Sequence, residues 1–368
     1  MKKQLSMRAV VVRTTRIAAA SAAFAFIAAC GGGGDDNNST PAGGIKLQVV
    51  SFGDSLSDVG TYSPVAAANF GGGRFTTNPG EIWVQDVAKY YGDTLTPAMS
   101  GGFGTPPTTL AGLGYAQGGS RVTNPIGVGH QSTDPANYTG ALTVPVVQQV
   151  TNYLSSHGSF NANQLVIVNG GANDILYNLT AVQAGQITAA QAQAAIGQAA
   201  VDLAGVIGKI VGSGATHVLV SNVPDIGATP QGVTSNAATR ALLTQASLGF
   251  NQVLAGALTR TGLMSKVIYL DIVPALANIT ANYQQYGFAV SNTGTACNLQ
   301  AMAAAAQKFG EPNPQAFATS LFCSPQTQTV AGADQTYMYA DTVHPTTHLH
   351  ALYAQTAEQT IAKSGLGK

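Results

Sequence analysis

Charge is scarce in this chain: charged side chains make up 9% of 368 residues, and aromatic ones 7% with a single tryptophan. So few charges argue against a coiled coil, an intrinsically disordered chain or a nucleic-acid binder. Cysteine is almost as rare, with three in all. No CxxC pair and no HExxH occurs, so zinc-ligand spacing is missing and no metal is expected. The stretch Gly71-Gly72-Gly73-Arg74 lacks the Lys-Ser/Thr of a phosphate loop and reads as a flexible loop or lid. No serine has glycine at both −2 and +2, so the strained nucleophile elbow is absent. What the chain does have is hydrophobic residues at 45% and 43 glycines, in 37.4 kDa. That length is ample for one large buried core.

The formal net charge of zero hides an asymmetry. Lys2, Lys3, Arg8, Arg13 and Arg16 precede residue 30 and no acid does, leaving 11 basic against 16 acidic residues beyond. A mildly acidic body has no basic stripe to hold phosphates. Residues 17–29 are apolar or small, so residues 1–29 have the charged and apolar regions of an export signal. Its end, Ile27-Ala28-Ala29-Cys30, resembles a bacterial lipobox. Cys30 is then expected to be lipidated, tethering the protein to the cell envelope, with a lean to the outer membrane; ordinary cleavage would leave it secreted. An exported chain meets an oxidising compartment, so Cys297 and Cys323 can pair, leaving Cys30 as the odd one out. Residues 30–45 read as a Gly-rich tether, and 46–368 as one domain with no repeat. No segment after the signal reads as long and apolar enough to span a bilayer.

Within the domain, apolar runs alternate with helical patterns. Strands are expected at 47–52, 165–169, 217–221 and 266–271. Helices are expected at 81–91, 144–156, 188–211, 237–263 and 345–362. Strand–helix alternation predicts an α/β fold, with a parallel sheet covered on both faces. In such sheets ligands bind beyond the carboxyl ends of the strands.

The residues just after the strands carry the chemistry. Ser55 follows the first strand in Gly53-Asp54-Ser55-Leu56-Ser57-Asp58. Near the other end, Asp341-Thr342-Val343-His344 spaces a carboxylate and an imidazole on one side of a turn. Asp341 can hold the tautomer of His344, freeing the other ring nitrogen to take a proton from Ser55. Gly118-Gly119-Ser120 and Gly170-Gly171-Ala172-Asn173-Asp174 offer a glycine amide and an asparagine amide, the donors an oxyanion hole needs.

The order of these blocks (GDSL, Gly, GxND, DxxH) resembles the GDSL, or SGNH, hydrolase family over roughly residues 47–362. Local matches are GDSLSDVG at 53–60, NVPDIGATP at 222–230 and DTVHPT at 341–346. It is most similar to the bacterial lipase, lecithinase and acyltransferase-like branch, which also has a cysteine pair ahead of the last block. The resemblance implies a three-layer α/β/α sandwich, flavodoxin-like, with a five-stranded parallel sheet. It implies Ser55 as nucleophile, His344 as base and Asp341 as its orienting acid. The amides of Ser55 and Gly119, with the Asn173 side chain, would form the oxyanion hole. Gly119 is preferred to the adjacent Gly118. The expected activity is serine ester hydrolysis of lipid or simple acyl esters, without a cofactor, by a monomer. Acyl transfer or deacetylation of a polysaccharide uses the same residues, and an inactive binding lipoprotein is the alternative outside enzymes.

The remaining candidates read as structural. His348 and His350 fall within the last helix and are expected to face packing or solvent. Asp174 reads as a helix cap. Asp54 and Asp58 read as bonding turn backbone, with Ca²⁺ as the alternative for them. His130, His157 and His217 have no metal-like neighbours. Loops 60–78 and 122–142 are expected to shape the substrate site.

Overall fold

A computed structural model describes residues 40–308 and 314–368. The export signal, Cys30 and residues 30–39 of the tether lie outside the described residues.

The first strand, β1 (Gln48–Phe52), is followed by helices α1 (Ser63–Phe70) and α2 (Trp83–Tyr90). The hairpin β2 (Met99–Gly102) and β3 (Thr105–Thr109) comes next. Then come α3 (Val146–His157), β4 (Gln164–Val168), α4 (Ala172–Gln183) and α5 (Ala189–Gly212). They lead into β5 (His217–Ser221), α6 (Pro230–Thr234), α7 (Ala237–Arg260) and β6 (Ile268–Leu270). The last third has α8 (Val273–Ala281), β7 (Val290–Thr295), α9 (Leu299–Lys308) and α10 (Ala333–Thr336). It closes with β8 (Tyr337–Tyr339) and α11 (Thr347–Lys363).

The main sheet is parallel, in the order β1-β4-β5-β6. Its strands are Val/Ile/Leu runs because both faces are covered. Alternate residues feed two cores. Val50, Val166 and Val218 pack under α3, α5 and α7, while Val49, Leu165 and Leu219 pack under α2 and α11. This is the sandwich expected, with one difference. The expected fifth strand is reduced to a single parallel bridge, Ser51 to Gly114, beside β1. There Ser51 donates to the Leu113 carbonyl at 3.1 Å and Tyr115 donates back at 2.8 Å. A Cβ on Gly114 would fall 2.4 Å from Val59. Glycine admits this close approach, but it builds no regular strand. Counting that row, the order 2-1-3-4-5 is the flavodoxin-like one.

Helix α5 follows from its sequence. Thr188 accepts from the Gln191 amide and Gln191 returns its side chain, a capping box. Ile196, Ala200, Leu203 and Ile207 then line one buried stripe. By length and composition this helix is apolar enough to cross a membrane, which corrects the sequence expectation. Its apolar stripe is spent inside the first core, against α4, α7 and the sheet. Two other segments also differ from expectation. The compact unit starts at Thr40, and Gly43 bonds to Tyr90 and Lys368, so residues 40–45 pack with the domain. Residues 71–73 are not a free lid: Gly73 donates to the Leu321 carbonyl at 2.9 Å, and a Cβ on Gly72 would meet that oxygen.

Candidate active site

Ser55 opens a single 3₁₀ turn directly after β1. The turn is held from below. Asp54 accepts from the Leu56 amide at 3.2 Å and from Asn169 Nδ2 at 2.7 Å. Gln149 brackets Gly53, accepting its N–H at 2.9 Å and donating to its carbonyl at 2.8 Å. Asp58 accepts three amides, from Gly60, Thr61 and Gly118. Burial pushes the pKa of both Asp54 and Asp58 up, against the pull of these donors. Among the described residues no cluster of three or more His, Cys, Asp or Glu side chains is placed to hold a metal.

The other end of the chain reaches the same point. The short parallel pair β7 and β8 delivers a loop in which Ala340 donates to the His344 carbonyl at 2.8 Å. His344 Nε2 lies 2.8 Å from Ser55 Oγ. Its Nδ1 lies 2.8 Å from Asp341 Oδ2. Asp341 is 3% exposed and also accepts from the amides of Ser320, Val343 and His344. Burial alone would raise its pKa, but His344 and these amides outweigh it and hold the carboxyl well below the usual range. The ring of Phe75 packs against His344 with centroids 5.0 Å apart.

The candidate oxyanion donors converge here too. Gly118 and Gly119 differ in what their amides do. Gly118 N–H is committed to Asp58 Oδ2 at 2.8 Å. Among the described residues the amides of Ser55 and Gly119 take no part in the main-chain network. Gly119 has φ +81°, and a Cβ there would lie 2.0 Å from the Val128 carbonyl, so only glycine fits. Asn173 sits in the first turn of α4, one amide hydrogen held by the Ser120 carbonyl at 2.9 Å. Among the described residues its other N–H takes no partner. Ser55, Gly119, Asn173 and His344 all line one cavity of about 320 Å³. The rest of its wall is mainly apolar, with Leu56, Phe103, Leu176, Ile226, Leu321 and Phe322 among the lining. Loop 122–142 contributes Val128, His130 and Ala141, and segment 60–78 contributes Phe75, as expected of these loops.

The rival bases lie elsewhere. His350 is fully buried, taking the Trp83 amide on Nδ1 at 3.4 Å, and its burial lowers its pKa to about 3. His348 contacts the Gln335 carbonyl. Asp174 is not a cap: it lies inside α4 and accepts from Arg121 Nε at 3.1 Å and Val122 N–H at 2.9 Å. Sequence reasoning missed Gln149 and the Ser320 amide. Neither carries a motif, and each reaches the site from a distant part of the chain. Cys297 and Cys323 are joined, fixing the end of the segment that presents Ser320, Leu321 and Phe322.

A serine, imidazole and carboxylate in series, with amide donors lining the same cavity at the carboxyl ends of a parallel sheet, define the class: an α/β protein with a serine-hydrolase constellation. The chain belongs to the GDSL-like lipase/acylhydrolase family, whose model matches residues 49–356. It is similar to proteins named esterase EstA in Pseudomonas aeruginosa and Pseudomonas putida, 27% identical over 256 residues and 66% of this chain. A Pseudomonas putida protein described as uncharacterized, from a trpE-trpG intergenic region, is 27% identical over 258 residues. This chain spans 38% of the length of those relatives.

Proposed function

We propose that this protein is a serine ester hydrolase that works through an acyl-enzyme. The observation that carries it is the series Asp341–His344–Ser55, with 2.8 Å at each contact, opening on the apolar cavity. His344 Nε2 takes the Ser55 proton as Oγ attacks the ester carbonyl. Charge developing on the carbonyl oxygen is met by the amides of Ser55 and Gly119 and the Asn173 side chain. His344 then gives its proton to the leaving alcohol. Water repeats the sequence and releases the acid from Ser55. Each step uses only these residues' side chains and main-chain amides, and water. The mainly apolar wall suits the acyl chain of a lipid or simple ester better than a sugar ring, whose hydroxyls need polar partners.

The test is turnover of p-nitrophenyl esters, from acetyl to palmitoyl, by the full chain beside Ser55→Ala. Turnover that vanishes in Ser55→Ala supports the assignment, and full turnover in that variant defeats it. Adding an alcohol acceptor separates hydrolysis from acyl transfer, because transfer yields a new ester at the expense of free acid. We also propose attachment to the cell envelope through a lipid on Cys30, on the strength of the lipobox-like Ile27-Ala28-Ala29-Cys30. Fatty-acid label that a Cys30→Ser exchange leaves in place would defeat that.

A further inference from the structure

We propose, resting on the ester-hydrolase reading above, that Asp174 is a positioning residue of the oxyanion hole: it locks the segment carrying Gly119 to the helix carrying Asn173. Oxyanion donors act only if they are already aimed when the charge forms. Asn173 is aimed by a helix, but Gly119 lies in a loop and has no side chain to anchor it. Its neighbours supply the anchors. On one side, Gly118 N–H is held by Asp58, the residue that closes the nucleophile turn, three after Ser55. On the other, Ser120 O receives the Asn173 amide, Val122 N–H goes to Asp174 Oδ2, and Arg121 Nε goes to Asp174 Oδ1.

Asp174 is 2% exposed, and a buried carboxylate is retained only where its partners repay desolvation. Here one main-chain amide and one guanidinium, both within three residues of Gly119, offset part of that cost, and burial still pushes the pKa of Asp174 up. The guanidinium is itself fixed from α4, lying 4.5 Å above the Tyr177 ring. Both carboxylate oxygens are needed as acceptors. An asparagine would turn its NH₂ towards either Val122 N–H or Arg121 Nε–H, donor against donor. Segment 118–122 is therefore clamped at both ends by buried acids, Asp58 to the nucleophile and Asp174 to Asn173. These acids tie the two sets of donors to each other, beside main-chain bonds that also hold the segment, among them Val128 N–H on the Gly119 carbonyl and Val146 N–H on the Arg121 carbonyl.

The test uses the full chain with Asp174→Asn, Asn173→Ala and the double variant. Three quantities are read: kcat, KM on one p-nitrophenyl ester, and affinity for an alkyl boronic acid. In that adduct the Ser55 oxygen bonds to boron, the boron becomes a tetrahedral anion, and the serine proton passes to His344. Asp174→Asn is expected to lower kcat by roughly ten- to a hundredfold, with KM nearly unchanged. Boronate affinity should fall by a similar factor. The double variant should lose less than the product of the two single losses, because both act on one hole. Native kcat, unchanged boronate affinity beside a lowered kcat, or losses that simply multiply would each overturn the proposal. If Asp174→Asn shows no cooperative thermal transition, Arg121→Gln carries the test, removing only the Oδ1 partner. It should lower kcat several-fold at constant KM, and unchanged kcat overturns the proposal. Ser55→Ala, run beside them, reports separately on the hydrolase reading: turnover surviving there condemns that reading and not merely the clamp.

Discussion

Replacing Asp341 by asparagine tests the core of the site with little change of shape. The carboxylate takes donors at both oxygens. Oδ1 receives the amides of Val343 and His344, at 2.9 and 2.8 Å. Oδ2 receives the Ser320 amide at 2.7 Å and His344 Nδ1 at 2.8 Å. An asparagine must put its NH₂ on one side. On the Oδ1 side it would face two amide hydrogens that cannot turn away. On the Oδ2 side it faces one, together with an imidazole that can change tautomer. The second orientation costs less, and it sets the NH₂ against Nδ1, which lies 2.8 Å from Oδ2 and 3.0 Å from Oδ1, so the nearer contact favours the tautomer in which Nδ1 accepts. The ring proton then sits on Nε2, where it points at Ser55 and cannot act as base. The expected loss is roughly 10³- to 10⁴-fold in kcat, about 4 to 5.5 kcal/mol, with KM little changed. Steady-state turnover of a p-nitrophenyl ester near neutral pH reads this directly. A variant that keeps turnover within tenfold of the parent would refute the tautomer reasoning. Stability supplies a second check. Asp341 is held below its ordinary pKa of 3.8, so its contribution is present above that pH and is lost as pH falls towards the folded value. The asparagine variant should lack that acid-labile part.

Three further outcomes are expected. Gly119→Ala should lower kcat by at least about a hundredfold, since its Cβ would collide with the Val128 carbonyl at 2.0 Å; near-native kcat would remove Gly119 from the site. Opening the disulfide with Cys297→Ser and Cys323→Ser frees a 26-residue separation, worth about 3 kcal/mol in the chain-entropy model. Thermal denaturation should show that loss, and kcat should fall too, because the Ser320 amide on Asp341 sits three residues from Cys323. His350 is buried neutral, its pKa lowered from 6.5 to about 3. The unfolded chain therefore binds the extra proton between those values, and stability falls as pH drops through that window. The ceiling is roughly 5 kcal/mol at about 1.36 kcal/mol per unit. His350→Gln should flatten the Tm–pH slope there, and an unchanged slope would refute the assignment.

Much of this molecule is written locally. Residues 48–52, 164–168 and 217–221 are apolar runs flanked by glycine and helical patterns, so buried parallel strands follow from hydrophobicity and period alone. Ser55, Asp341, His344 and Asn173 stand in short motifs, and Thr188 with Gln191 marks a helix start. Such signals are carried by neighbours in the chain, which is why they are legible. The strand missing beside β1 was not, because the approach of Val59 to Gly114 is a contact between loops.

What only the tertiary structure decided is which backbone groups remain free. Gly118 and Gly119 are indistinguishable as letters. Asp58, sixty residues away, takes one amide and leaves the other. Asp174 reads as a cap because its sequence position allows one, yet Arg121 and Val122 fold over it and take both oxygens. His344 carries a motif and His350 none, but only packing puts the first 2.8 Å from Ser55 Oγ and the second under Trp83. The sequence by itself determined the kinds of groups and the strands that carry them, because those depend on local period and turn chemistry. Their alignment into a site depended on hydrogen bonds across long separations, and those exist only once the core has closed.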